Sequence, residues 1–421
     1  MKKNTRIYIK DRRLLLTVIF SFVFSLNLFS QDLNMATDTT PVKKRAWNEI
    51  NLGFTTARIG IGFIHEYAAY KQNETGKAQM DSAGVVLKDE FKFRDFRFFA
   101  NGRFKGKREV IWKAAIMFDG VNRAWTFRET GLQIDLPELK SKVFVGRMKE
   151  GYSLNKVQNG YSTWGNERQM SLDLIPIMTD GIRWYGYLPK PKLFWSMGAF
   201  SDVIYENSRF ATWDWQYSGR IGWRPIFTDN VSPLLHLGIN FRYARPDDGK
   251  FRVRSKPESN PAPYFIDTGI FGSDHSSSIG GEAYYRKGPF MLGSEINWHY
   301  FHSAQAGNPT YPGGDFVLSY FLTGETRPYL SDNSVFYFIK PEKSLFKGGA
   351  GAWELVLHYS FFNTNKGLLP GGDLWKITPM INWYVNKSVR IEFVYGYGVL
   401  DRFNLKGATQ FFQTRFQFVL M

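Results

Sequence analysis

Ten basic residues of this chain lie in segments where polar and apolar positions alternate, and each shares its face with other polar residues. They are Arg97, Arg103, Lys113, Arg147, Lys149, Arg183, Arg220, Arg242, Arg390 and Arg415. The acidic residues placed on the same faces are Asp95, Asp119, Glu295, Glu354 and Glu392. A guanidinium group donates two parallel hydrogen bonds to an oxyanion and keeps its charge. As a set, these faces predict attraction of anions, although an ion pair with a structural role explains any single arginine more simply.

Enzymatic chemistry has less support. The six histidines (His65, His236, His275, His299, His302 and His358) are scattered along the chain. His299 and His302 fall on opposite faces of a strand, so their spacing does not suit a metal site. Glu295 shares a face with His299, but a polar network explains this pair equally well. The sequence has no cysteine, no G-x-S-x-G motif and no metal-ligand spacing. We therefore expect neither an enzyme nor a cofactor.

The segments that carry these residues are about ten residues long and alternate strictly. In one of them, Leu235, Leu237, Ile239, Phe241 and Tyr243 oppose His236, Asn240 and Arg242. Alternation alone also fits a soluble β-sandwich. However, the segments keep one apolar and one polar face along the whole chain. Aromatic residues such as Trp184-Tyr185 also cluster near segment ends, as membrane interfaces require. Because a bilayer offers no water to an open sheet edge, the pattern predicts an all-β, antiparallel transmembrane barrel.

The length of the chain suits sixteen strands. Residues 46–421 allow about 23 residues for each strand with its connection, and 18 candidate segments are visible, some of which belong to loops. Residues 315–325 are predicted to form a strand with Phe316, Leu318, Tyr320 and Leu322 facing outward. Residues 151–179 are the longest stretch without alternation, and such long loops are usually functional. This loop is either exterior or folded into the lumen.

The N-terminus predicts export. Residues 1–30 combine a basic start, an uncharged run from Leu14 to Phe29 and a small residue, Ser30, which is typical of a cleaved signal peptide. The alternative is a membrane anchor, but 16 uncharged residues are short for a span of about 20. Removing this segment lowers the formal charge from +16 to +11, because it carries six basic residues and one acid. Residues 31–45 are predicted to be a short periplasmic lead-in, and residues 46–421 the barrel. No nucleic-acid partner is expected, since the aromatic residues would face lipid.

The order of several motifs is similar to a known family. The motifs are FLTGETRPY at residues 321–329, GAWEL at 351–355, NWY at 382–384, RVRSKPE at 252–258, IDTG at 266–269, VGRMK at 145–149, SLNK at 153–156 and NERQ at 166–169. Together they resemble the phosphate-selective porin O and P family of Gram-negative outer membranes. The resemblance implies a trimeric, 16-stranded barrel with an inward-folded third loop, through which anions diffuse passively.

The resemblance also suggests where permeating anions are bound. It places Lys156 and Arg168 at the constriction formed by the third loop. Together with the alternation, it predicts a set of substrate-binding residues: Lys156, Arg168, Arg147, Lys149, Asn159, Arg97 and Arg183. The expected partners are inorganic anions such as phosphate or polyphosphate, the lipid of the outer membrane, and two further copies of the chain.

Two departures from the family pattern bear on these expectations. Asn159-Gly160 stands where the family often has two serines, so the alternative is a general porin, or one for another solute, without phosphate selectivity. The chain ends in Met421, where such barrels usually end in Phe, while Phe416 and Phe418 supply outward aromatic side chains nearby.

Overall fold

A computed structural model describes residues 46–203 and 213–421 of this chain. The predicted signal peptide (residues 1–30) and lead-in (residues 31–45) lie outside the described residues. Sixteen long strands follow in order: β1 (Thr56–Gln72), β2 (Glu90–Phe104), β3 (Val110–Asp119), β4 (Ala124–Phe127 and Thr130–Leu136), β5 (Ser141–Met148), β6 (Thr179–Leu188), β7 (Leu193–Ser201), β8 (Trp213–Ile226), β9 (Leu234–Pro246), β10 (His275–Lys287), β11 (Phe290–His302), β12 (Thr310–Phe321), β13 (Ala352–Asn363), β14 (Asp373–Tyr384), β15 (Val389–Arg402) and β16 (Leu405–Leu420).

Every strand pairs antiparallel with its neighbours along the chain, and the first strand also pairs with the last. Ile61 of β1 lies opposite Leu420 of β16 and opposite Phe98 of β2. Both pieces of β4 pair with β3, so they occupy one strand position that is interrupted at Arg128 and Glu129. The sheet is therefore a closed barrel of sixteen strands, and the predicted fold class is confirmed in these respects.

Shorter elements occupy the connections. They are helix α1 (Glu74–Ser82), helix α2 (Leu154–Val157), three 3₁₀ turns (Pro137–Leu139, Met170–Leu172 and Leu345–Lys347), a short strand (Glu49–Asn51) paired with β1, and two small hairpins (Lys250–Ser255 with Ile266–Gly272, and Tyr329–Leu330 with Val335–Phe336). Helix α1 begins after Asn73, whose side-chain Oδ1 accepts a hydrogen bond from the Gly76 N–H at 2.8 Å. Among the described residues, no helix is long and apolar enough to cross a bilayer.

The two faces of the wall differ in the way that the alternation predicts. On β9, Ile239 and Phe241 are more than half exposed, whereas Asn240 and Arg242 are at most 2% exposed. On β12, the outward positions of Phe316, Leu318 and Tyr320 are confirmed, as all three are exposed. This strand ends at Phe321 instead of residue 325, and Gly324 then adopts a left-handed φ of +95° in the turn. An apolar exterior around a polar interior suits a barrel surrounded by lipid.

Three connections within the described residues are each longer than about 25 residues. We call residues 149–178 the third loop, residues 247–274 the fifth loop and residues 322–351 the long turn. The third and fifth loops leave one end of the barrel, and the long turn leaves the other, where β1 begins and β16 ends. All three contain buried residues that contact the polar faces of the strands.

Candidate functional site

The start of the third loop is fixed to two carboxylates on the inner wall. The backbone N–H of Leu154 donates to Glu282 Oε1 of β10 at 2.8 Å, and that of Asn155 donates to Glu295 Oε1 of β11 at 2.7 Å. Both N–H groups belong to the first turn of α2, where no helical partner is available to them. Ser153 Oγ also donates to Glu295 at 2.5 Å. These bonds hold the first half of the loop against β10 and β11.

The second half of the loop contacts a different part of the wall, which includes β2 and β16. Tyr161 Oη donates to Asp95 Oδ1 of β2 at 3.0 Å. Glu167 accepts two hydrogen bonds from the Arg94 guanidinium, at 2.7 and 2.8 Å, and a third from Arg415 of β16 at 2.5 Å. The loop therefore joins β10 and β11 to β2 and β16.

A cavity of about 910 Å³ lies between the third loop and the inner face of β1 to β4. Its basic lining residues are Arg58, Arg94, Arg97, Lys113, Arg128, Lys149, Arg168, Lys340 and Lys387, and its acidic ones are Asp119 and Glu129. This nine-to-two ratio is much more one-sided than that of the chain as a whole, which has 54 basic and 38 acidic residues. The open part of the interior is therefore strongly positive.

Among the described residues, three of these nine cations, Arg94, Arg97 and Lys113, have an acidic partner, and the three others that lie nearest to the third loop have none. Arg97 pairs with Asp95 at 2.7 Å, and Lys113 pairs with Glu129 at 2.5 Å. In the part of the chain that the structure describes, no carboxylate oxygen lies within 4.0 Å of Arg128, Lys149 or Arg168. We call these three residues the cationic cluster.

Main-chain carbonyl groups of the third loop hold two members of the cluster in place. Arg168 donates from Nε to the Asn155 carbonyl at 2.8 Å and from Nη2 to the Gln158 carbonyl at 2.9 Å. Lys149 Nζ donates to that same Gln158 carbonyl at 2.5 Å. Neutral carbonyl groups orient these cations without cancelling their charge.

Burial and neighbouring like charges both disfavour the charged forms of the loop cations. Burial lowers the pKa of Lys149 well below its ordinary value, and the charges of Arg168 and Arg128 lower it further. Burial also lowers the pKa of Arg168 to about 10, and Arg94 and Arg97 oppose its charge while Glu167 favours it. Since positive neighbours disfavour each cation, an anion in the cavity would stabilise the whole cluster.

Sequence reasoning missed Arg94, which alternation places on the lipid face with Phe96 and Phe98. In the structure His65 pairs with Phe93 and Ile64 pairs with Asp95, so that Arg94 is the extra residue of a β-bulge. A bulge changes the direction of the side chain at the extra position, and Arg94 lines the cavity. Arg128 was missed for a related reason, because it lies at the interruption of β4. Nothing in the alternation marks either residue.

The structure brings four of the seven predicted binding residues together. Arg97, Lys149, Asn159 and Arg168 all line the large cavity. Arg183 lines an adjoining cavity of about 300 Å³, which Lys149 and Asn159 also line.

The other two lie elsewhere. Arg147 pairs with Asp180 at 2.8 Å and lines neither cavity. Lys156, expected at the constriction, is 4% exposed, and its Nζ donates to the Leu172 carbonyl at 2.8 Å. It also lines neither cavity, because α2 directs its side chain toward the 3₁₀ turn of the same loop.

Comparison with known proteins agrees with this fold. The family model for phosphate-selective porin O and P matches residues 71–420. An uncharacterized protein from Caulobacter vibrioides is 31% identical over 181 residues, which cover 42% of this chain and 35% of that protein. Porin O from Pseudomonas aeruginosa is 26% identical over 195 residues, which cover 38% of this chain and 43% of that porin. The matched region thus spans less than half the length of either relative.

Solved structures resemble the barrel at low sequence identity. An anion-selective porin from Comamonas acidovorans is similar with a TM-score of 0.54 at 10% identity, over 87% of this chain and 100% of that one. OmpT of Vibrio cholerae, in a structure described as its trimer form, has a TM-score of 0.51 at 10% identity, over 87% of this chain and 99% of that one. At this identity the structures support the fold alone. Because the family model covers most of its length, the chain belongs to the phosphate-selective porin O and P family.

Proposed function

We propose that this chain forms an outer-membrane pore for the passive diffusion of anions, in which the third loop is folded into the lumen and the cationic cluster lines the constriction. The observation that carries this proposal is the position of Arg128, Lys149 and Arg168, which face a cavity without carboxylate partners. A permeating ion must exchange its hydration shell for fixed donors and still be able to leave. Three cations without carboxylate partners among the described residues, two of them held by neutral carbonyl groups, meet both requirements.

The residues around the cluster have supporting roles. Arg97 and Arg94 add positive potential, although Asp95 and Glu167 partly balance them. Asn159 and Gly160 border the cavity beside Arg168, where a Cβ on Gly160 would lie 3.7 Å from Arg168 Nη2. The Asn159 amide and nearby main-chain N–H groups can therefore donate to an anion that Arg168 attracts.

A second candidate is a porin that does not select phosphate. It is favoured by Asn159-Gly160 in place of the serine pair of the family, because two hydroxyl donors are missing. Single-channel conductance in phosphate, pyrophosphate and chloride separates the two candidates. Saturation of the current at low phosphate concentration supports phosphate selectivity, whereas conductance that follows ion mobility supports the general pore.

The reversal potential in a potassium chloride gradient tests anion transport itself. Wild-type protein in planar bilayers should favour chloride. Lys149→Gln combined with Arg168→Gln should lower the chloride-to-potassium permeability ratio about fivefold or more, since one charge at contact distance changes an ion's energy by about 1 kcal/mol even in water. The matched control is Lys71→Gln with Lys77→Gln, which removes the same formal charge at exposed positions near α1. A wild-type preference for potassium, or equal shifts in both double variants, would contradict the proposal.

Export and assembly complete the proposal. Residues 1–30 act as a cleaved signal peptide, residues 31–45 precede the wall on the periplasmic side, and residues 46–421 form the barrel, which assembles as a homotrimer in outer-membrane lipid. The trimer form of the similar Vibrio cholerae structure supports the assembly. Sequencing the N-terminus of the mature protein should give Gln31 as the first residue. Native mass measurement in detergent should give three copies, and monomers alone would remove the assembly claim.

A further inference from the structure

The cationic cluster shares its cavity with an apolar surface on the barrel wall. Across β16, β1, β2 and β3, one row of paired inward residues reads Val419, Gly62, Arg97 and Met117. The next row contains Gly60, Phe99 and Ala115. Apart from Arg97, this part of the inner wall has no charged side chain.

Two glycines of β1 make room for the aromatic rings of this surface. A Cβ on Gly60 would lie 2.0 Å from Cε2 of Phe99, and a Cβ on Gly62 would lie 2.8 Å from Oη of Tyr161. No side chain could therefore be added at Gly60 or Gly62 unless the neighbouring ring moved. The rings of Phe99 and Tyr161 therefore occupy space that is open only because these two wall positions are glycine.

The long turn contributes from the opposite end of the barrel. Phe338, together with Phe99 and Met421, packs against the buried residues Ile64, Tyr161 and Val419. We call Phe99, Met117, Tyr161, Phe338, Val419 and Met421, all of which line the cavity, the apolar lining. The Arg97 guanidinium lies over the Tyr161 ring, with 4.6 Å between Cζ and the ring centroid. The apolar lining and the basic residues therefore meet at Tyr161.

We infer that the pore favours organic anions in which a carboxylate is joined to an aromatic ring, over inorganic or aliphatic anions of the same charge. This inference rests on the proposed function and names its substrate class. A small inorganic anion loses hydration beside the apolar lining and gains no favourable contact with that lining in return. An aromatic carboxylate places its ring on that lining while its charged group reaches the basic residues. Mostly apolar walls with a few placed polar groups are typical of sites for organic molecules.

Block of the chloride current by benzoate and by acetate tests the inference, because both probes carry one carboxylate and only benzoate has a ring. Benzoate should halve the wild-type chloride current at a concentration about tenfold or more below that of acetate, as ring burial and aromatic contact act only on benzoate. Phe99→Ser combined with Phe338→Ser should remove most of this difference and leave the chloride-to-potassium ratio near the wild-type value.

The matched control is Phe98→Ser combined with Phe346→Ser. Phe98 is the outward neighbour of Phe99, and Phe346 is an exposed residue of the long turn outside the cavity. This control should keep the full benzoate preference. If the Phe99 and Phe338 double variant does not fold, Phe338→Ser alone tests the same claim from the long turn.

Equal block by the two probes in wild type, or an unchanged difference in the lining variants, would overturn the inference while anion preference persists. A wild-type pore without any preference for chloride over potassium would instead overturn the proposed function.

Discussion

In the described part of the barrel interior, two regions each hold a group of basic residues, and only one of these groups has carboxylate partners. Along β8 to β11, Arg220 binds Glu282 at 2.8 Å, His236 contacts the same carboxylate at 2.7 Å, and Arg242 binds Glu150 at 2.9 Å. All of these side chains are buried, and the start of the third loop is attached to this wall. Beside β1 to β4, the cationic cluster of Arg128, Lys149 and Arg168 faces a cavity without acidic partners.

The proposed function implies that the number of inward arginines by itself says little about selectivity. Charges that are neutralised over 3 Å stabilise the wall and the loop, and an ion at a distance experiences almost no net field from them. In the proposed pore, charges that lack a carboxylate partner act on the permeating ion. In the proposed pore the paired region is structural and the cationic cluster is functional, although basic residues line the interior in both.

The largest effect is expected from Arg220→Gln in the paired region. The substitution leaves the Glu282 carboxylate buried without its guanidinium, a loss that typically destabilises by about 3–5 kcal/mol. Urea unfolding in lipid vesicles measures the free energy of unfolding. Arg168→Gln, which removes a cation already opposed by like charges, should lower this free energy by less than about 1 kcal/mol. Equal destabilisation by both variants would remove the distinction between the two regions.

A smaller but more specific effect is expected from Arg128→Gln. The chloride-to-potassium permeability ratio should fall about fivefold, because one charge near the ion is lost from the cavity. Lys77→Gln, at an exposed position where Lys77 pairs with Glu74 at 2.7 Å, should change the ratio less than about twofold, since salt screens it over about 10 Å. Equal shifts of the reversal potential in Arg128→Gln and Lys77→Gln would contradict this prediction.

Selectivity should also depend on pH through Lys149. Its pKa is lowered from 10.5, so the residue loses its positive charge as the pH rises through values at which an ordinary lysine stays charged. Anion preference should therefore decrease from neutral toward alkaline pH. In Lys149→Arg, the guanidinium keeps its charge and the decrease should shrink. Reversal potentials from pH 6 to 10 measure both profiles, and identical profiles would exclude Lys149 as the cause.

The smallest effect is expected from Lys156→Gln. Its ammonium group is directed to the Leu172 carbonyl and lines neither cavity. The permeability ratio should change less than about twofold, compared with about fivefold for Arg168→Gln. An effect of Lys156→Gln as large as that of Arg168→Gln would instead support the arrangement that the resemblance implies, in which both residues lie at the constriction.

The wall was predictable and the interior only partly so, for a physical reason. Alternation with a period of two identifies the faces of a paired strand such as β9, because each strand is buried on one side only. It fails at Arg94, where one extra residue reverses the direction of the side chain, and at Arg128, where pairing is interrupted. The position of Lys156 depends on how a loop of thirty residues folds back on itself, which no local pattern encodes.

The pairing of β1 with β16 has a consequence for how each molecule folds after its synthesis. Ile61 meets Leu420, so the final register depends on residues made at the beginning and at the end of synthesis. Contacts between such distant positions form slowly, because the intervening chain must first be ordered. Until they form, β1 and β16 each present an unpaired edge that can join other chains. The barrel therefore depends on protection during transit, and a chain truncated before β16 has no closed state to reach.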